Sequence, residues 1–179
     1  MENGDISRDC DFRFAEASDA PNVASLVNST YHGTESAYGW TPETHLHSGP
    51  RTSVEAVAAH ILDPNSRFIL CERPDALIGC ALIERCDSDV HFGMFAVRPR
   101  LQAAGIGKAI LAKTERCAIE LWQSRTMTMS VISVQGALIA YYERRGYYRT
   151  GDRAPFPFGE EPGALRTDYD LVTLRKNLT

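Results

Sequence analysis

The sequence predicts a single α/β domain, and three observations carry that expectation. Strand-like runs from Phe68 to Cys71, Leu77 to Glu84 and Val90 to Val97 follow one another across Arg73-Pro74-Asp75 and Asp87-Ser88-Asp89. Short β-rich runs joined by tight polar turns read as an antiparallel meander. Helical spacing of apolar residues flanks the meander on both sides. Finally, no internal repeat and no second boundary interrupts the 179 residues, a length that buries a full core without staples.

The elements follow in order. Residues 1–10 are polar and read as a disordered tail ahead of a domain spanning 11–179. Phe12-Arg13-Phe14-Ala15 alternates as a strand does. Ser18 or Asp19 then caps a helix whose apolar face is Val23, Leu26, Val27 and Tyr31. A glycine-interrupted segment runs from Gly33 to Arg51. Ser53 caps a second helix with Val54, Val57, Ala58, Ile61 and Leu62 at i, i+3, i+4, i+7 and i+8, and Asp63-Pro64-Asn65 ends it.

Beyond the meander, a helix from Gly105 to about Trp122 lines up Ile106, Ile110, Cys117 and Leu121. Thr126 to Ile132 is β-rich, and Gln135 to Arg145 is helical and stopped by Gly146. Tyr147 to Thr150 and Asp168 to Leu174 read as final strands. The loop Ala154-Pro155-Phe156-Pro157-Phe158-Gly159 between them is too aromatic for a plain linker.

Composition narrows the function. A hydrophobic content of 44% with 23% charged residues is that of an ordinary globular domain. A net charge of −4 argues against nucleic acid as the main partner. The five cysteines form no CxxC pair, which points to free thiols in a reducing compartment rather than to a disulfide framework or a zinc knuckle. A polar N-terminus and the lack of a membrane-length apolar run indicate a cytoplasmic protein with no membrane partner.

The stretch that carries chemistry is Gln102-Ala103-Ala104-Gly105-Ile106-Gly107, between the run Gly93-Met94-Phe95-Ala96-Val97 and a helix. Glycine lets backbone approach phosphates closely, and the unpaired amides and positive dipole end of the helix attract an anion. A dinucleotide fold would need GxGxxG at the start of a parallel βαβ unit, and no glycine stands two positions before Gly105. A Walker loop would need a hydroxyl after the lysine, where Gly107-Lys108-Ala109 has none.

Leu138-Ile139-Ala140-Tyr141-Tyr142-Glu143-Arg144-Arg145-Gly146-Tyr147, taken with Val97-Arg98-Pro99 and the loop from Gln102 to Gly107, resembles the GNAT acyl-CoA-dependent N-acetyltransferases. The resemblance implies one domain with a mixed, mostly antiparallel central sheet and helices on both faces. It implies a splay between the strand ending at Val97 and the strand from Thr126, and acetyl-CoA as co-substrate with no metal. The backbones of Phe95, Ala96 and Val97 would then lie along the pantetheine arm, with the amide near Phe95 polarising the thioester carbonyl. Gln102, Ala103, Ala104, Gly105, Ile106, Gly107 and Lys108 would cradle the pyrophosphate, Lys108 being alternatively a solvated helix lysine. Ala104 departs from a position often basic in the family, and Gln135 stands where many members carry an asparagine on the pantetheine arm. Tyr142 occupies the position of the family's general acid, and Tyr141 beside it reads as a core aromatic.

Attack on a thioester needs a neutral amine, hence a base or water to take its proton. By strand parity His91 shares a side with Gly93, Phe95 and Val97, which makes it a candidate base, against the alternative of a partly exposed strand histidine. Glu84 is a weaker candidate. The acceptor would meet the segment from Trp40 to Arg51, where Trp40 with Glu43 suits a cationic amine and Arg51 a carboxylate. His45 and His47 lack a third ligand nearby for a metal. Phe156 and its loop would form the opposite wall, although ordinary loop packing serves equally well for each of these. The expected activity is acetyl transfer to a primary amine of a small molecule. The alternatives are a protein lysine or N-terminal acetyltransferase and a non-catalytic acyl-CoA-binding regulator on the same fold; homodimers are frequent among similar proteins.

Overall fold

The computed structural model describes residues 10–31, 46, 49–158 and 165–179. The tail 1–9 and the residues Trp40, Glu43, His45 and His47 lie outside them. Seven strands form one sheet: β1 (Asp11–Phe14), β2 (Ser66–Arg73), β3 (Ala76–Cys86), β4 (Asp89–Val97), β5 (Thr126–Ile132), β6 (Tyr148–Pro155) and β7 (Asp170–Asn177). Their order is β1-β2-β3-β4-β5-β7-β6, antiparallel throughout except at β4–β5.

Helices α1 (Ala20–Tyr31) and α2 (Val54–Leu62) precede the meander; α3 (Ile106–Trp122) and α4 (Gly136–Glu143) follow β4 and β5. Ser53 caps α2 as its spacing predicts, its hydroxyl accepting from the Ala56 amide at 3.1 Å. A short 3₁₀ turn, Ala17–Asp19, comes before α1, closed by a capping box between Glu16 and Asp19. Gly146 takes a φ of +88° just past α4, a stop that side chains with a Cβ rarely adopt. Leu121 departs from its expected place on the buried stripe of α3: it is exposed, and Leu111, Thr114 and Ala118 are buried instead. Strand β6 runs on to Pro155, so the aromatic loop starts at Phe156 rather than Ala154.

The sheet separates two cores. On one face Val23, Val27 and Val57 from α1 and α2 pack on Phe68, Leu70, Cys80, Leu82 and Ala96. On the other, Ile106, Ile110, Cys117 and Ile139 from α3 and α4 pack on Ile69, Ile83, Val90, Phe92 and Val97. Among the described residues no helix is long and apolar enough to cross a membrane.

Strand β4 contains the feature on which the site depends. Leu82 pairs with Gly93, but Cys80 pairs with Ala96, so β4 holds one extra residue opposite β3. Met94 at that bulge has a φ of +41°, a conformation with a real cost for a residue bearing a side chain. The bulge flips the strand's alternation. Val90 and Phe92 share the α3/α4 face with Phe95 and Val97, while Met94 and Ala96 face α1 and α2. The parity that placed His91 on the side of Phe95 and Val97 is therefore overturned. His91 stands opposite Glu84, whose carboxylate is 3.2 Å from His60 Nδ1 of α2.

Candidate functional site

Strands β4 and β5 pair only at Val90–Met127 and His91–Thr128 and then part. Parallel neighbours that lose their ladder leave open backbone groups on the facing edge. The Arg98 amide donates to the Ile78 carbonyl at 2.9 Å, on the β3 side. Amides alternate along a strand, so those of Val97 and Phe95 turn to the opposite side, into the gap.

A cleft of about 350 Å³ occupies this gap. Its lining comes from both faces of the sheet: Thr30 and Tyr31 of α1, Phe95 and Val97 of β4, the loop and first turn of α3, and Leu138, Tyr141, Tyr142, Arg144 and Arg145 at α4. The cleft thus passes through the sheet. Lys108, Arg144 and Arg145 line it, and no carboxylate among the described residues does, so its electrostatics suit a polyanion.

At the cleft's loop end, Ala103 (φ +65°) and Gly105 (φ +83°) carry the chain in left-handed conformations onto α3. No side chain caps the first amides of α3, which leaves them for a ligand. A Cβ on Gly107 would sit 3.1 Å from the Phe95 ring and 3.2 Å from the Tyr141 hydroxyl, so the absence of a side chain there keeps the cradle open. Gln102 reaches back across the neck of the loop, its amide nitrogen donating to the Val97 carbonyl at 3.1 Å. These features fit a pyrophosphate with an extended arm behind it.

Tyr142 is 4% exposed, with its ring edge-on to Phe92, Tyr141 and Tyr147. Its hydroxyl makes no hydrogen bond to any described residue. Burial first, then the neighbouring phenols of Tyr31 and Tyr141, hold its proton well above the ordinary phenol value, against the pull of Arg145. The phenol therefore stays protonated at neutral pH.

A model of the acetyltransferase (GNAT) domain matches residues 41–156. The chain belongs to the GNAT acetyltransferase family. It is accordingly an acyltransferase whose acyl donor is acetyl-CoA. The ribosomal-protein-S18-alanine N-acetyltransferase of Escherichia coli is similar in fold, with a TM-score of 0.69, 18% identity, and coverage of 95% of this chain and 94% of that one. So is the spermidine N-acetyltransferase of Vibrio cholerae in complex with CoA and spermine, with a TM-score of 0.69, 16% identity and coverage of 96% of both chains. At such identities the likeness speaks for the fold. No curated protein matches the sequence.

Against this GNAT frame, the residues singled out from sequence divide into two groups. Phe95, Val97, Gln102, Ala103, Gly105, Gly107, Lys108 and Tyr142 come together on the cleft. Ala96 and Ile106 are buried beneath it, and Ala104 packs on the α3/α4 core. Gln135 at the N-cap of α4 does not line the cleft, although its amide nitrogen is buried without a hydrogen-bond partner. His91 and Glu84 lie apart from it, and burial holds the His91 imidazole below its ordinary value against the opposing Glu84 charge. Arg51 stands near the cleft's α1 side, its guanidinium 5.7 Å from the Tyr31 ring centre. Phe156 is buried with Leu46, Ile132 and Tyr169 in a small core of its own and does not line the cleft.

Six cleft residues escaped the sequence, Thr30 and Leu138 among them. Tyr31 read as one more apolar residue on α1. Tyr141 read as core, yet it is only partly buried and its hydroxyl stands at Gly107. Arg144 and Arg145 received no role. One signal was available for the pair Tyr141 and Arg145, which stand four apart across the end of α4. The Arg145 guanidinium stacks 3.4 Å over the Tyr141 ring and donates to the Tyr141 carbonyl at 2.7 Å.

Proposed function

We propose that this chain moves the acetyl group of acetyl-CoA to a primary amine of a small molecule by direct attack, with Tyr142 as general acid. The observation that carries the reading is the Tyr142 hydroxyl, unpartnered among the described residues and lining a cleft bounded by the open edge of β4 and the phosphate loop. The CoA thioester supplies an activated acyl group when bound. Backbone amides at the α3 N-terminus, with Lys108, Arg144 and Arg145, hold the phosphates. The edge of β4 at Phe95 and Val97 aligns the pantetheine arm, and the Phe95 amide donates to the thioester carbonyl oxygen as charge develops there. The neutral amine forms the new C–N bond and the C–S bond breaks. Tyr142 donates its proton to the departing sulfur, and the proton lost by the amine nitrogen restores the phenol through water.

A small-molecule acceptor is supported by the other end of the fold. Leu46 is fully buried against Phe156 and Tyr169, and its carbonyl accepts from the Leu165 amide at 2.8 Å. The stretch before α2 and the loop beyond β6 are thereby tied together, which favours a walled pocket over an open groove. With His91 and Glu84 off the cleft, water is the proton acceptor we favour for the amine.

The test is acetyl-CoA-dependent thiol release across a panel of aliphatic, aromatic and polyamine acceptors, alongside peptides bearing free N-termini and lysines. Turnover with small amines and not with peptides supports the proposal. Turnover with peptides alone would move the reading to a protein acetyltransferase, and tight CoA binding with no thiol release would make the chain a regulator.

A further inference from the structure

At the bulge in β4 the ladder to β3 slips by one residue across Met94 and Phe95, and the two carbonyls there meet side chains. The Cys80 thiol approaches the Met94 carbonyl at 3.7 Å, a weak contact, whereas the Tyr31 hydroxyl donates to the Phe95 carbonyl at 2.7 Å. Tyr31 is the last residue of α1 and reaches β4 across 64 positions of sequence.

Its own position is clamped. Three residues earlier on α1, the Asn28 side-chain oxygen accepts from the Arg51 and Thr52 amides at 2.7 and 3.0 Å. The Asn28 amide nitrogen donates back to the Thr52 carbonyl at 3.0 Å. The end of α1 is therefore pinned to the chain entering α2, and the Arg51 guanidinium lies beside the Tyr31 ring.

We propose that Tyr31 is a positioning residue for acyl transfer: by holding the Phe95 carbonyl it fixes the peptide on the far side of Phe95, and through the Phe95 backbone it sets the adjoining Met94–Phe95 peptide, whose amide it so aims at the thioester carbonyl. The strained Met94 backbone is what makes a clamp necessary, since a bulge without ladder bonds relaxes toward a regular strand. Carrying the Gly93 register on through Phe95 without the bulge would turn the Phe95 amide out of the gap, because one residue of register exchanges the two sides of the strand. The hydroxyl is the part that matters; the ring alone supplies packing. The inference rests on the proposed role of the Phe95 amide.

The test is Tyr31→Phe, which keeps the ring, read on acetyl-CoA carrying a ¹³C-labelled thioester carbonyl. Isotope-edited infrared spectra report how strongly that carbonyl is polarised when bound. In the unaltered protein the band moves to lower frequency on binding. In Tyr31→Phe most of that displacement is lost and the bound band broadens, while acetyl-CoA affinity changes by less than about threefold, because the ring that lines the cleft is kept and the lost hydroxyl bonds protein backbone rather than ligand. Acceptor-free hydrolysis of acetyl-CoA falls about tenfold, less than the hundredfold or more of deleting an oxyanion donor outright. A carbonyl band displaced equally in both proteins overturns the inference and leaves the function standing. A band that does not move in the unaltered protein removes the Phe95 role, and Tyr31's with it. A lower melting temperature with an unchanged band assigns Tyr31 to stability alone.

Discussion

Replacing Gly107 by alanine pits two effects of comparable size against each other. Within the first turn of α3 alanine is the better helix former, by about 1 kcal/mol. The added methyl meets the Phe95 ring at 3.1 Å, the Tyr141 hydroxyl at 3.2 Å and a Val97 methyl at 3.8 Å. Contacts that tight require neighbours to yield by a few tenths of an ångström, a cost at or below the low end of the roughly 1–3 kcal/mol seen for overpacked sites. The two terms nearly cancel, so stability should stay within about 1 kcal/mol of the parent. Ligand binding has no such compensation. Phe95, Tyr141 and Val97 are all cleft walls, and whichever gives way, the space beside the α3 amides shrinks. Losing close approach to even one charged hydrogen bond, worth about 1.5–3 kcal/mol, weakens CoA binding at least about tenfold. Thermal melts and isothermal titration with CoA measure the two quantities on one sample. Unchanged stability together with a Kd within about twofold of the parent would refute the cradle.

Four other outcomes follow from the same structure. Tyr142→Phe should lower kcat by roughly ten- to a thousandfold with acetyl-CoA affinity little changed, as expected for losing an acid–base group. Because burial raises the Tyr142 pKa, the parent rate should rise with pH as the amine deprotonates and show no fall from this phenol up to at least about pH 10; a fall well below that removes Tyr142 as the acid. Gly79→Ala should destabilise the fold by about 1–3 kcal/mol, since its methyl would overlap the Ile110 side chain and stand 3.1 Å from the Ala96 carbonyl, and denaturant titration reads this directly. His91 has a folded pKa below its unfolded value near 6.5, so the unfolded chain binds the extra proton and stability is lost as pH falls through that region. The melting temperature of His91→Gln should therefore decline less between pH 8 and pH 5 than the parent's, while equal slopes would show that this imidazole titrates as freely folded as unfolded.

The cleft's phosphate end was legible in the sequence because its determinants are local. Gln102 to Gly107 form a turn and a helix start within six residues, and the chemistry of unpaired amides travels with that pattern. Tyr142 was legible through the resemblance of the run from Leu138 to Tyr147 to the helix and stop of the GNAT family. The acceptor side was much less so. Phe156 looked like a pocket wall since aromatic loops often are, but its partners Leu46 and Tyr169 lie far off in the chain and draw it into a separate core.

What the sequence determined by itself is the element order, the meander, the glycine loop and the helix stop at Gly146, all set by short-range periodicity, capping and turn chemistry. The bulge at Met94 was decided only in three dimensions. No glycine marks it, since Gly93 has an ordinary φ and the left-handed residue is a methionine. Counting by twos across it placed His91 on the wrong side of the sheet. The same bulge frees the Phe95 carbonyl for a hydroxyl from α1. Strand parity holds only while the ladder is regular, and a contact spanning 64 residues is made by the packing of α1 on the sheet rather than by any pattern along the chain.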